Sequence, residues 1–364
     1  MHIAMAYHYF WPHRGGIENA SGGLAHELVK MGHSITFVTS NIGENDADMR
    51  PRHERIAGID VLRLPKLWLP ARALALRGLP LALRELEPDI WHPQHPSPFV
   101  ADRTVSYAKS AGVPCILSYH ADAADEKAMD KALASGYYRL LGNRMLDSAG
   151  AIIAHSRSYA SSSPWLKHHL KKTTIIPLGI DPAELKGADG SIIRKRFRLD
   201  GRRVVCSVGR MVPYKGYEYL IRALEHLDTD WTLLLGGTGP EERRLHALAK
   251  GLMLDDRIVF AGWVADRDKK HFYAAGDVFA MSSISRGEAF GVSALEALAV
   301  GTPTIITDIP GPRDIKGVIK VPPRDPRALA AAIERASGKR AKLDSAYHIS
   351  NVAKQTLKVY EKFL

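Results

Sequence analysis

A helical stretch, then a glycine, then a run of apolar and β-branched residues recurs along this chain. It is seen at KMG-HSITFV around Gly32, AGVPCILSY around Gly112, SAGAIIAHS around Gly150, AAGDVFAMS around Gly276 and AVGTPTIIT around Gly301. Glycine just past a helix end takes the left-handed conformation without steric cost, and a short continuous apolar run reads as a strand covered on both faces. Alternation of this kind predicts parallel sheets with helices on either side, in two successive series. The first series opens with a strand over His2–Tyr7 and a helix from about Glu18 to Met31. It continues through strands at Asp89–Trp91, CILSY and Ala151–Ala154. The second series has strands at Arg203–Gly209, Trp231–Gly236, Ile258–Gly262, Gly276–Ser282, Thr302–Thr307 and Val318–Val321, a helix over Asp325–Ala336, and a last helix from about Ser345 to Phe363. The domains are accordingly expected at residues 1–168 and 169–344, with 345–364 as a closing helix.

Three stretches depart from this alternation. The turn after the first strand, YFWPHRGGIE, carries Tyr9, Phe10, Trp11 and Arg14, an aromatic loop suited to stacking on a sugar or dipping into a membrane interface. Residues Lys66–Leu86 combine leucines at helical spacing with Trp68, Arg72, Arg77 and Arg84. This predicts a basic amphipathic helix, packed by its leucines on the sheet or laid on an anionic lipid surface. A second basic cluster, WLKHHLKK from Trp165 to Lys172, faces an acidic acceptor or membrane, or is a solvated helix end.

The length of 364 residues suits two domains, each with its own core. Hydrophobic content of 46% and charged content of 24% are those of a globular chain, and no apolar run approaches a membrane span. The start lacks the basic and small-residue features of a signal peptide. Cys115 and Cys206 each lie in strand-like apolar runs and read as buried, reduced core residues. A formal charge of +11 and a pI near 9.5 call for an anionic partner. No nucleic-acid module is recognisable, which leaves a membrane surface or a phosphorylated substrate.

The chemistry concentrates at SSISRGEAFGVSALEALAVG, from Ser282 to Gly301. Its apolar stripe predicts a helix beginning near Gly291, so Glu288 lies on a loop and Glu296 inside the helix. The helix N-terminus between them is a seat for phosphate. The E-x7-E spacing in EAFGVSALE, followed by EALAVGTP, resembles the signature of retaining glycosyltransferases of family 4. The resemblance implies an α/β protein of GT-B fold: two Rossmann-like parallel-sheet domains facing each other across a cleft, with a C-terminal helix crossing back to the first. It places Glu288 on the donor sugar and Glu296 on the ribose of the nucleotide, with Ala289, Phe290, Gly291 and Val292 lining the same site. Arg210 and Lys215, in GRMVPYKG, match the family's GRxxxxKG pattern, whose cations clamp the donor diphosphate. Gly237 and Gly239 match its nucleotide-side turn, and Trp263-Val264 the residues by the base. Gly15 and Gly16 match its GGxE turn beside the donor phosphates or the acceptor. His120, at the end of a strand, matches the histidine near the donor's reactive carbon, and His92 and His95 fall in a loop near the acceptor. Leu178 stands where the family's IPNGxD segment usually has Asn, while Gly179 and Asp181 are retained.

These residues imply transfer of a hexose from a nucleotide-diphosphate sugar with retention at the anomeric carbon. No carboxylate pair faces that carbon in the family's site, so a front-face reaction is implied, with Arg210 and Lys215 stabilising the leaving diphosphate. GDP-mannose is the donor named first, with a UDP-linked hexose or N-acetylhexosamine as the alternative. A saccharide or lipid-linked acceptor and an anionic membrane surface are the other expected partners, placing the protein in the cytoplasm or on the inner membrane face. No tightly bound cofactor is implied, and Mg²⁺ is not required. Asp46-Ala47-Asp48 spells DxD within a polar loop and reads as chance. Two other readings stand beside this one. An NAD- or PLP-dependent enzyme is disfavoured because Glu242 occupies the third position of the glycine fingerprint. A non-catalytic subunit of the same shape is disfavoured by the intact Arg210, Lys215, Glu288 and Glu296.

Overall fold

The computed structural model describes residues 1–13, 15–41, 51–68, 74–122 and 135–364. It divides into two compact units, Met1–Gly179 with Ile349–Leu364, and Ile180–His348. The chain leaves the first unit at Gly179, later than the 168/169 boundary expected from the sequence, because a short strand at Thr173–Ile175 still pairs with Ala151–Ala154.

The first unit's strands are β1 (His2–Ala6), β2 (Ser34–Ser40), β3 (Arg52–Ile56), β4 (Ile59–Leu64), β5 (Lys66–Trp68), β6 (Leu74–Leu76), β7 (Ile90–His95), β8 (Ile116–Tyr119), β9 (Ala151–Ala154) and β10 (Thr173–Ile175). Among the described residues an eight-stranded sheet runs in the order β10-β9-β8-β7-β1-β2-β4-β3. It is parallel except for β3, which pairs antiparallel with β4 through a turn at Ala57 and Gly58. The helix Gly16–Lys30 and the closing helix Ile349–Tyr360 pack together on this sheet. Val352, Ala353, Val359 and Tyr360 join Ile3, Met5 and Phe37 in one apolar cluster.

The second unit contains β11 (Arg203–Val208), β12 (Trp231–Gly236), β13 (Ile258–Gly262), β14 (Val278–Met281), β15 (Thr304–Thr307) and β16 (Ile319–Val321). Among the described residues they form one six-stranded sheet, in the order β13-β12-β11-β14-β15-β16, with every pair parallel. Strand order reverses beside β1 in the first sheet and beside β11 in the second. Ligands of open α/β sheets bind at the strands' carboxyl ends where that reversal occurs.

Three expectations are corrected. Lys66–Leu86 is not one helix: β5 and β6 pair as a hairpin, and a short helix, Leu79–Glu85, follows with Pro80 at its start. Leu74, Leu76, Leu79 and Leu83 are buried and Arg77 and Arg84 exposed, so the leucine spacing satisfied two elements in turn. Arg72 lies outside the described residues, as do Arg14 and the DxD aspartates Asp46 and Asp48. The aromatic loop turns inward: Phe10 is 1% exposed and stacks on Phe37, while the Trp11 ring occupies the space a side chain at Gly22 would need. Of the five punctuating glycines, Gly32, Gly112 and Gly301 have positive φ, whereas Gly276 has φ −81°. At Gly276 the constraint is space, since a Cβ would stand 2.4 Å from Cys206 Sγ. Both cysteines are buried and free, as their apolar runs predicted.

Candidate active site

Local backbone packing builds the site of the second unit. Beyond β11 and β12, Met211 N–H donates to Thr238 O, and the chain passes so close that a Cβ on Gly237 would stand 2.0 Å from Gly209 O. One on Gly239 would stand 2.3 Å from Met211 O. The two glycines of this turn are therefore needed for backbone contact. Arg210 is exposed on the loop they brace; its carbonyl accepts from Val212 N–H at 2.9 Å, and its guanidinium has no ion-pair or hydrogen-bond partner among the described residues. Trp263, 73% exposed, and the buried Val264 follow β13.

After Arg210 the single turn Pro213–Lys215 carries Lys215 toward the end of β14. Ser282 Oγ donates to Lys215 O at 3.0 Å and Ile284 N–H to Tyr214 O at 2.8 Å, tying the two loops together. Lys215 Nζ donates to Glu288 Oε2 at 2.5 Å, and Ser283 Oγ donates to the same oxygen at 3.1 Å. Glu288 is 9% exposed. Burial by itself pulls the Lys215 ammonium down, but the Glu288 carboxylate, Tyr217 and Tyr214 together outweigh it and hold the group above its ordinary range. Thr307 Oγ1 donates to Ser283 O, fixing the serine that shares Glu288.

Glu288 leads through Ala289, the buried Phe290 and Gly291 into the helix Val292–Val300. That helix has no side-chain cap and no acidic residue in its first turn, so none of its own side chains neutralises the positive end of its dipole. Glu296, on its second turn, accepts a hydrogen bond from Tyr273 Oη at 2.5 Å. Its carboxyl lies above the usual carboxylate range, chiefly through burial, with Lys269 and Tyr273 pulling it back. Arg210, Lys215, Glu288, Glu296 and the Gly237–Gly239 turn thus belong to loops and a helix that leave the carboxyl ends of adjacent strands in one sheet. Ser283 and Tyr273 belong with them, and sequence reasoning missed both. Ser283 has the plain appearance of a loop serine, and Tyr273 that of a core aromatic in DKKHFYAA.

The remaining candidates lie in the first unit. Gly15 and Gly16 begin the helix Gly16–Lys30, where the buried Glu18 occupies the first turn with His13 Nε2 3.6 Å from its Oε1. This N-terminus already holds a carboxylate, unlike that of Val292–Val300. His92 and His95 lie within β7 rather than in a loop, because the strand runs on to His95. His92 is fully buried, with Nε2 2.7 Å from Ser118 Oγ and Nδ1 2.5 Å from Tyr360 Oη. His95 is also fully buried and pairs with Tyr138 Oη at 2.7 Å. Burial pushes both imidazoles down to about 3. His120 packs 4.5 Å from the ring of His155, and its Nε2 is 2.9 Å from Gln94 Oε1. Burial first, and then its neighbour His155, hold His120 well below the ordinary imidazole range, so it is uncharged. Within the basic stretch, Leu166–Lys172 forms a short 3₁₀ helix with Lys167 and Lys171 exposed. No group of His, Cys, Asp and Glu among the described residues is arranged to hold a metal ion.

The profile of Glycosyltransferase Family 4 matches residues 14–184 of the chain, and that of Glycosyl transferases group 1 matches residues 190–355. D-rhamnosyltransferase WbpZ of Pseudomonas aeruginosa is 32% identical over 272 residues, covering 71% of this chain and 68% of that protein. The chain belongs to glycosyltransferase family 4. A GDP-mannose-dependent alpha-(1-6)-phosphatidylinositol monomannoside mannosyltransferase of Mycobacterium tuberculosis is 29% identical over 81% of this chain and 77% of its own length. Among solved structures, Alr3699/HepE of Anabaena in complex with UDP superposes with a TM-score of 0.77 at 18% identity, covering the whole of both chains. This family 4 glycosyltransferase has the GT-B fold.

Proposed function

We propose that this glycosyltransferase moves a hexose from a nucleotide-diphosphate sugar to a saccharide or lipid-linked acceptor, with retention at the anomeric carbon. The observation that carries the reading is the conjunction, in the second unit, of Lys215, Glu288 and Ser283 beside an uncapped helix N-terminus. A diphosphate is doubly charged, and the exposed Arg210, the Lys215 ammonium and those N–H groups supply what it needs. The helix at Gly15 and Gly16 already carries Glu18, so we assign those glycines to the acceptor rather than to the donor phosphates.

The sugar hydroxyls fall to Glu288, and the ribose hydroxyls to Glu296. As the bond to the diphosphate breaks, charge grows on the leaving oxygen. Arg210 and Lys215 then strengthen their hold, each contributing on the order of 3 kcal/mol, as one oxyanion donor does. The leaving oxygen takes the acceptor's proton. His120, uncharged, would present a dipole to the electron-poor carbon. No step requires a metal or a bound cofactor.

GDP-mannose is favoured as donor by the mannosyltransferase relative. UDP-hexose is the second reading, favoured by the UDP in the fold neighbour. The positive formal charge and the exposed Lys167 and Lys171 support an anionic lipid surface as the place of work, on the cytoplasmic face of a membrane. No helix among the described residues is long and apolar enough to cross one. The test is the melting temperature in the presence of GDP and UDP, since a ligand bound only by the folded state raises it. One of the two should raise it, and Arg210→Ala or Glu296→Ala should remove the rise. A wild-type protein indifferent to both nucleotides would sink the proposal.

A further inference from the structure

We infer that Tyr273 is a positioning residue that aims Glu296 at the ribose of the donor nucleotide; the inference rests on the ribose reading of Glu296 proposed above. Tyr273 is fully buried and held at both ends. Its carbonyl accepts from Thr302 Oγ1 at 2.8 Å, and its ring meets Phe279 of β14 edge-on, with centroids 5.5 Å apart. Its hydroxyl reaches from the helix Asp266–Ala275 to the helix Val292–Val300 and donates to Glu296 Oε2 at 2.5 Å.

A carboxylate on a flexible side chain can turn to any donor nearby. With Oε2 pinned from behind by a rigid phenol, Oε1 and the remaining lone pair of Oε2 have fixed directions. A vicinal diol, which offers two O–H groups at a set separation, matches that arrangement; a single hydroxyl or none does not. The phenol also favours the anion. Burial, Asp266 and Glu184 push the Glu296 carboxyl up, whereas Lys269 and Tyr273 pull it down, and Lys269 is itself engaged by Asp266 at 2.6 Å. Tyr273 is therefore the group that aims Glu296, and it adds to Lys269 in favouring the carboxylate as an acceptor for hydroxyl donors.

The test uses Tyr273→Phe, which keeps the ring, with binding of GDP, UDP and their 2′,3′-dideoxy counterparts followed by calorimetry from pH 5 to 8. Wild type should prefer the ribose form, and Glu296→Gln should erase that preference. If wild type shows no preference, or Glu296→Gln retains it, the ribose reading fails. Where that reading stands, Tyr273→Phe should narrow the preference about tenfold, the loss of one hydrogen bond to a charged group. Affinity for the dideoxy nucleotide should stay unchanged, and the acid limb of ribonucleotide binding should move to higher pH. Glu296→Asp, which draws the carboxylate back from Tyr273, should narrow the preference likewise. Full ribose preference in Tyr273→Phe, or equal weakening of both nucleotide forms, would overturn the inference and leave Tyr273 a core tyrosine.

Discussion

Gly237 and Gly251 separate two reasons for a glycine, and each answers differently to a methyl group. Gly237 has φ +116°, and its absent Cβ would overlap the backbone of Gly209, which cannot withdraw without parting β11 from β12. Gly237→Ala is expected to cost about 2–4 kcal/mol from left-handed strain and overpacking together. Gly251 ends the helix Glu242–Gly251 with an ordinary φ and open space around it, so Gly251→Ala should gain about 0.4–1 kcal/mol by restricting the unfolded chain. Urea unfolding of the two variants checks both signs, and a Gly237→Ala protein as stable as wild type would refute the close-contact account. At this scale the spacing of rare residue types singled out Arg210, Lys215, Glu288 and Glu296, which the structure carries on loops and a helix at the carboxyl ends of neighbouring strands. It was silent on supports such as Tyr273 and Ser283, because a buried tyrosine that packs and one that aims a carboxylate look the same in a string of letters. The ion pair between Lys215 and Glu288 was not legible either, since their roles suggested separate parts of the donor.

Elements were readable where burial is complete. Trp231–Gly236 and Ala151–Ala154 are strands over the same residues that their apolar runs predict, since a strand covered on both faces has no other pattern available. β3 was not read: RHERI is an exposed edge strand with no hydrophobic signal, and its turn uses Ala57 at φ +51°, where Gly or Asn would have announced it. The Lys66–Leu86 stretch failed for the opposite reason, as leucines at mixed spacing fit a hairpin followed by a short helix as well as one long helix. The closing helix Ile349–Tyr360 shows what periodicity leaves out. Its apolar stripe predicts burial, but the Tyr360 hydroxyl bonded to His92 Nδ1 in the interior of the first unit is a tertiary fact. Tyr360→Phe keeps the ring and strands the buried His92 nitrogen without a partner, which should cost about 1–3 kcal/mol. Hydrogen exchange should show that loss in the first unit alone, with the amides of β11–β16 protected as before. Unchanged protection in β1, β7 and β8 would mean the contact stabilises nothing.

At the scale of the whole molecule, the first unit carries a liability that follows from its buried imidazoles. His92 and His95 are pushed down to about 3 and His155 to about 4, in each case chiefly by burial, and His120 well below its ordinary value. In the unfolded chain each recovers a pKa near 6.5. The unfolded state therefore binds more protons than the folded state between those values, and stability rises with pH across that window. The contribution is whole above about pH 6.5 and drains as pH falls toward 4, at about 1.4 kcal/mol per pH unit for each imidazole. Going from pH 7 to pH 5 thus removes about 2 kcal/mol per histidine, and several acting together approach the ~5–15 kcal/mol of a whole domain. Unfolding is expected to become biphasic on acidification, with Met1–Gly179 and Ile349–Leu364 opening together and first, because the closing helix shares the core in which His92 is buried. Calorimetry at pH 7, 6 and 5, with hydrogen exchange assigning the earlier transition, tests this. Two transitions that keep their temperatures from pH 7 to pH 5 would show that the imidazoles take up protons without unfolding, and that the first unit's interior admits charge more readily than its burial implies.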